Sequence, residues 1–123
     1  MAAAPVVHFE VLGKDTKKLH NFYGQLFDWQ IDAANPMNYG LVAPAGQGTD
    51  PGKGSIGGGV GAAVEGAPGH LTFYVQVPDV TAALKKAEKL GGKTILPETE
   101  VPGMVTYALF RDPEGHLVGL VKG

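Results

Sequence analysis

Two side chains suited to acid–base chemistry or metal ligation stand two positions apart near the start of the chain, His8 and Glu10 in the run Val6-Val7-His8-Phe9-Glu10-Val11-Leu12. Val7, Phe9 and Val11 alternate with them, which is the period of a strand and puts the imidazole and carboxylate on one face, roughly 6–7 Å apart. A second run, His70-Leu71-Thr72-Phe73-Tyr74-Val75-Gln76, alternates in the same way and turns His70, Thr72, Tyr74 and Gln76 to one side. His8 reads as a ligand-contacting imidazole or as a hydrogen-bonded face residue without chemistry. Glu10 would need burial to raise its pKa before it could act as a base; otherwise it pairs with a nearby His or Lys. His70 follows Pro68-Gly69 and lies at the rim of that face or at the solvent edge. Other chemistries find little footing. The chain has no cysteine, hence no disulfide, thiolate nucleophile or Cys-based metal site. Its one serine, Ser55, has no histidine partner in its own segment, so a hydrolase triad is unsupported. Gly52-Lys53-Gly54-Ser55 lacks the upstream glycine of a phosphate loop, and Gly57-Gly58-Gly59 does not continue as G-x-G-x-x-G. Glu98 and Glu100 read as a solvated loop, and His20 and His116 as exposed on a helix and a hairpin.

The elements that would position these groups occur twice. Phe9, Val11, Asp15 and Ile31 recur as Phe73, Val75, Asp79 and Ile95, each 64 positions on. Each copy runs as an alternating strand, an Asp and an amphipathic helix, and a repeated supersecondary unit governs the whole fold. Asp15 or Thr16 caps the first helix, whose apolar stripe is Leu19, Phe22, Tyr23, Leu26 and Phe27, ending near Asp28. Residues 29–31 and 38–43 follow as strands around the Asn35-Pro36 turn, and residues 55–61 form a weak, glycine-rich strand. In the second copy Pro78-Asp79 opens a helix with the stripe Val80, Ala83, Leu84, Ala87 and Leu90, stopped by Gly91-Gly92. Residues 93–96 and 104–110 are strands, and Asp112-Pro113-Glu114-Gly115 reverses the chain into the strand 116–121. Each copy is therefore βαβββ, within one domain of 1–123: a first module over 5–61, a linker over 62–69 and a second module over 70–123. The helices should cover Val7/Phe9/Val11 and Leu71/Phe73/Val75, leaving the opposite faces to form a cup. Polar groups converging in a concavity mark a small-molecule site. Tyr39 and Tyr107, from equivalent third strands, line that cup or pack as core aromatics; Trp29 reads as a packing anchor.

A chain of 123 residues suffices for one compact domain that buries about 65% of its unfolded surface. A net charge of −2 with 18% charged residues argues against a nucleic-acid surface, where a basic stripe is expected. No apolar run approaches the roughly 20 residues of a membrane span, and the start reads as no secretory signal, so a cytoplasmic location is expected. Between Ala43 and Gly69 ten residues are Gly and three are Pro, which marks a long loop or lid region between the copies.

The arrangement resembles the vicinal oxygen chelate superfamily, which includes glyoxalase I, fosfomycin-modifying enzymes, extradiol dioxygenases and bleomycin resistance proteins. The resemblance spans almost the whole chain. It rests on His8, on Asn21-Phe22-Tyr23 and Phe27-Asp28-Trp29, on Gly91-Gly92, and most specifically on Phe110-Arg111-Asp112-Pro113-Glu114-Gly115. It implies an α+β fold of two βαβββ modules forming a curved mixed-sheet cup, and a homodimer, consistent with exposed sheet edges that a partner could cover. In metalloenzymes of the group four cup strands each supply a metal ligand. Carried over, those positions are His8, a residue near Gly57, Thr72 and Gly119, so one ligand of the four survives. A catalytic divalent ion generally needs three protein ligands.

The reading is therefore a small-molecule-binding protein of the glyoxalase/bleomycin resistance type, metal-independent and without a cofactor, with no assigned catalytic residue. Its ligand-binding positions are His8, Glu10, Gly57, His70, Thr72, Tyr74, Tyr107 and Gly119. The alternative is a metal-dependent lyase or isomerase resembling glyoxalase I (lactoylglutathione lyase), with a divalent ion on His8, Glu10 and His70 and with Glu10 as base. A scaffold with a vestigial cup is the third class. The expected partners are a small organic molecule and a second copy of the chain, not a nucleic acid or a membrane.

Overall fold

The computed structural model describes residues 3–44, 56–63 and 68–123. Along the chain run β1 (Val6–Gly13), α1 (Thr16–Phe27), β2 (Ile31–Asp32), β3 (Gly40–Val42), β4 (Gly57–Ala62), β5 (His70–Val77), α2 (Val80–Lys89), β6 (Lys93–Val101), β7 (Val105–Arg111) and β8 (Leu117–Lys122). The fold class is α+β, as expected. The 64-residue offset holds to the residue, carrying β1 onto β5 and the start of α1 onto the start of α2. Both helices open on the repeated aspartate. Asp15 accepts the Lys18 N–H and Asp79 the Ala82 N–H, each at 3.0 Å, satisfying donors that a helix N-terminus leaves without an intrahelical partner. The chain clusters into two compact units, His8–Leu71 and Thr72–Gly123, the second including the residues before His8.

In the first unit the strand order is β2-β3-β4-β1, with β1 and β4 parallel and the other pairs antiparallel. The register sets His8 beside Gly57, Glu10 beside Gly59 and Leu12 beside Gly61, so these six residues share a face. The glycine-rich stretch is thus a paired strand, and its missing side chains are used. A methyl at Gly58 would fall 2.4 Å from the Phe9 ring, and one at Gly59 would fall 1.8 Å from the Tyr39 hydroxyl. Phe9 continues into an aromatic cluster centred on Trp29, whose ring lies 5.2 Å from Phe9, 5.6 Å from Tyr23 and 5.1 Å from Phe27. Trp29 is the packing anchor expected of it.

Two expectations for this unit are corrected. The α1 stripe was expected to be buried, yet no residue of α1 is buried, and Phe22, Leu26 and Phe27 are 57%, 57% and 52% exposed. The strands beneath the helix are short, β2 having two residues and β3 three, and β4 turns only Gly58, Val60 and Ala62 to that side. His20 was expected on the outer face; instead its Nε2 lies 2.7 Å from the carbonyl of Val60, itself fully buried. Gly40 leaves room for that ring, since a methyl there would meet His20 Nε2 at 2.5 Å.

The second unit repeats the topology in the order β5-β8-β7-β6, with β5 and β8 parallel. Here α2 does bury its stripe. Val80 and Leu84 pack with Ala108 and Leu120, and Val75, Val77, Ala83 and Phe110 close around them. The β5 residues under the helix are therefore Val75 and Val77. Leu71 and Phe73, expected there, are 72% and 44% exposed. Leu90, expected to close the α2 stripe, is the C-cap and is exposed. The helix stops where Gly91 takes φ +102°, and Gly92 N–H returns to the Ala87 carbonyl at 2.8 Å.

The last reversal is built on Asp112. Its Oδ1 accepts the N–H groups of Glu114 (2.9 Å) and His116 (3.0 Å), while Gly115 turns at φ +91°. The His116 N–H is the main cause that holds the Asp112 carboxyl below the usual carboxylate range. His116 is exposed, as expected, with Nδ1 3.0 Å from Asp112 Oδ2. Edge strand β6 carries Pro97 and two register shifts against β7, features that discourage strand addition. No described helix is long and apolar enough to cross a membrane.

Candidate functional site

The polar side chains of β1 meet on the face of the first unit that carries Gly57, Gly59 and Gly61. Tyr39, the residue before β3, lays its ring over Gly59 and Gly61, and its hydroxyl lies between His8 and Glu10. The phenol donates to Glu10 Oε2 at 2.8 Å, and His8 Nε2 lies 3.0 Å from the Tyr39 hydroxyl oxygen. A phenol has one proton and a carboxylate only accepts. With that proton given to Glu10, His8 completes the chain as an Nε2–H donor. The hydrogen bonds therefore run His8 to Tyr39 to Glu10. The His8 and Tyr39 rings lie near-parallel, 19° apart, at 6.3 Å.

Burial lowers the pKa of His8 below its ordinary value of 6.5, and the Glu10 charge offsets part of that effect. The folded protein thus favours a neutral imidazole more than the unfolded chain does. At pH above 6.5 both states hold His8 neutral and it adds no pH dependence. As pH falls below 6.5 the unfolded chain takes up the proton first, and this contribution to stability is lost down to the folded pKa. NMR titration of the ring should give a midpoint below 6.5. Glu10→Gln should lower that midpoint further, because it removes the charge that raises it; an upward movement would contradict the assignment.

Of the other sequence-derived positions, Gly57 is the register partner of His8, against the carbonyl of Val42. His70 opens β5; its Nε2 is buried with no hydrogen-bond partner among the described residues. Thr72 is buried, and its hydroxyl donates to the Leu117 carbonyl at 2.5 Å. Tyr74, 6% exposed, covers its register partner Gly119 as Tyr39 covers Gly59. Tyr107 is half-buried with its ring 6.4 Å from that of Tyr74. Gln76, on the same face of β5, folds over Gly123. Ser55 and the Gly52–Ser55 run lie outside the described residues.

Among the described residues no group of three or more His, Cys, Asp or Glu could hold a metal ion. The set His8, Glu10 and His70 is not assembled as one. Of the carried-over positions, Gly57 and Gly119 lack side chains, and Thr72 has committed its hydroxyl to the main chain. These residues do not fit a divalent ion.

Sequence reasoning left two contributors unassigned. From sequence Tyr39 reads as lining or core, and only its approach to His8 and Glu10 reveals the hydroxyl role. Asn35, read only as a turn residue, holds the main chain of Tyr39 at both its N–H and its carbonyl. The signal available was the run of glycines on alternate positions of β4, which leaves a strand face open to a large ring.

The family model for the Glyoxalase/Bleomycin resistance protein/Dioxygenase superfamily matches residues 6–120. The chain belongs to this superfamily. A curated relative, CFP32 of Mycobacterium bovis and Mycobacterium tuberculosis, named provisionally as a glyoxylase, is 30% identical over 71 residues. That match takes in 58% of this chain and 27% of the relative, so the chain spans about a quarter of the relative's length. Among solved structures, a methylmalonyl-CoA epimerase of Streptomyces coelicolor in complex with 2-nitronate-propionyl-CoA is 13% identical, with a TM-score of 0.66. It covers 99% of each chain. A structure described as an NAD-dependent benzaldehyde dehydrogenase of Legionella pneumophila is 19% identical, with a TM-score of 0.65, over 94% of this chain and 96% of that one. An epimerase and a dehydrogenase on one fold show that the fold does not choose the reaction.

Proposed function

We propose that this member of the superfamily binds a small organic molecule, without a metal, on the face of its first unit that carries His8, Tyr39 and Glu10. The observation that carries the reading is the Tyr39 hydroxyl held at 3.0 and 2.8 Å between an imidazole and a carboxylate. Such a row of polar groups on a rigid glycine-backed ring can orient a ligand's donors and acceptors. Gly57 and His70 of the same unit remain proposed as further contributors, and on the second unit Thr72, Tyr74, Tyr107 and Gly119 remain proposed as ligand-binding positions. A homodimer and a cytoplasmic location belong to the same reading and rest on the sequence. The epimerase complex supports thioesters of coenzyme A as the first ligand class to test.

The test is a thermal-shift screen of the purified chain against coenzyme A thioesters, small metabolites and antibiotics. A true ligand at 100 times its dissociation constant should add about 2.7 kcal/mol of stability. Absence of any shift across the panel would favour a scaffold with no ligand.

A second reading, lyase or isomerase chemistry, is favoured by the same hydrogen bonds, since a carboxylate and an imidazole joined through a phenol can pass a proton. It predicts exchange of an acidic C–H of a bound ligand with deuterated solvent, lost in Glu10→Gln; binding without exchange would leave the first reading standing. Metal analysis of the purified chain separates both from the metal-dependent version, which predicts stoichiometric metal lost in His8→Ala.

A further inference from the structure

Tyr39 lies in the connection between β2 and β3, so something other than a regular strand must hold its ring in place. The amide of Asn35 does this from four residues upstream. Its Oδ1 accepts the N–H of Tyr39 at 2.9 Å and that of Met37 at 3.2 Å, while its Nδ2 donates to the Tyr39 carbonyl at 2.6 Å. The Asn35 main-chain carbonyl accepts the Asn38 N–H at 3.0 Å, and Asn38 sits in the left-handed region at φ +51°. Both main-chain groups of one residue are thus gripped by one side chain. A carboxamide can do this because it carries a donor and an acceptor together. An aspartate of the same shape would keep the acceptor and set a second oxygen against the Tyr39 carbonyl.

We propose that Asn35 is a positioning residue for the Tyr39 hydroxyl, fixing it between His8 and Glu10. The proposal rests on the reading that this face is the ligand site. Asn35 touches neither His8 nor Glu10 in any described hydrogen bond; it acts through the backbone of Tyr39. The glycines beneath the ring make room for it, and the Asn35 clamp decides where along that room the phenol stops.

The experiment uses the full ligand-free chain and reads the imidazole ¹⁵N shifts of His8, with Tyr39→Phe as the reference for a lost hydroxyl contact. Asn35→Asp should move the His8 shifts from the wild-type position to that of Tyr39→Phe, and the double variant should move them no further. His8 shifts in a folded Asn35→Asp protein that match wild type would overturn the proposal, even if its melting temperature fell, because a loop-stabilising role alone leaves His8 untouched. Should Asn35→Asp fail to fold, Asn35→Ser, which cannot reach both main-chain groups, serves with the same two outcomes. No ligand is needed. Movement of His8 in a chain that binds nothing in the thermal-shift panel would uphold the positioning role while the ligand reading fails.

Discussion

Gly59→Ala is expected to expel the Tyr39 ring from its place between His8 and Glu10. The added methyl would stand 1.8 Å from the phenol oxygen and 2.1 Å from a ring carbon, distances at which no rotamer adjustment of the methyl can help. Either the ring leaves or β4 shifts, and β4 is paired on both sides, with β1 and with β3. Overpacking of this kind costs about 1–3 kcal/mol, measurable by urea denaturation. The double variant Gly59→Ala/Tyr39→Ala tests the cause. If the clash with the ring carries the cost, the alanine at 59 should be nearly neutral once Tyr39 is truncated, a coupling that a double-mutant cycle reads directly. Additive effects would place the cost in the strand itself.

The second large effect separates the two helices. Leu84→Ala should destabilise by about 2–5 kcal/mol, since it empties a site closed by Val80, Ala108 and Leu120. Leu26→Ala, on the helix of the other unit, should cost about 1 kcal/mol or less, because Leu26 is 57% exposed. Chemical denaturation of the two variants decides this. Equal losses would mean that α1 is buried in solution to the same degree as α2.

This asymmetry shows which parts of the fold could be read in the sequence. The repeat was legible because its signals are local: alternation in β1 and β5, and one aspartate capping each helix at the same offset. The Gly91 and Gly115 turns were legible for the same reason, as glycine at a left-handed position is a local requirement. What helices bury was not legible. Helical spacing identifies a stripe in α1 and in α2 alike, but burial depends on the side chains opposite, and the short β2 and β3 give α1 fewer of them than β7 and β8 give α2 through Ala108, Phe110 and Leu120. His20 was misplaced on the same ground, since its acceptor, the Val60 carbonyl, is 40 residues away.

The candidate site was legible in part. Alternation alone put His8 and Glu10 on one face, and the structure keeps them there, but their bridge comes from Tyr39, about thirty residues on in sequence. Glycines at Gly57 and Gly119 were read as lost ligands. Gly119 has a physical use, since it lies under the Tyr74 ring as Gly59 lies under that of Tyr39. Ring packing against bare backbone is a tertiary relation, and a glycine in the sequence does not say which ring will fill its space.

The most direct measurement is the thermal-shift panel run on wild type beside Tyr39→Phe and Gly59→Ala. At least one compound should stabilise the wild-type chain, and both variants should lose most of that gain. A compound that stabilises all three chains equally would bind elsewhere, and the His8–Tyr39–Glu10 face would not be the site.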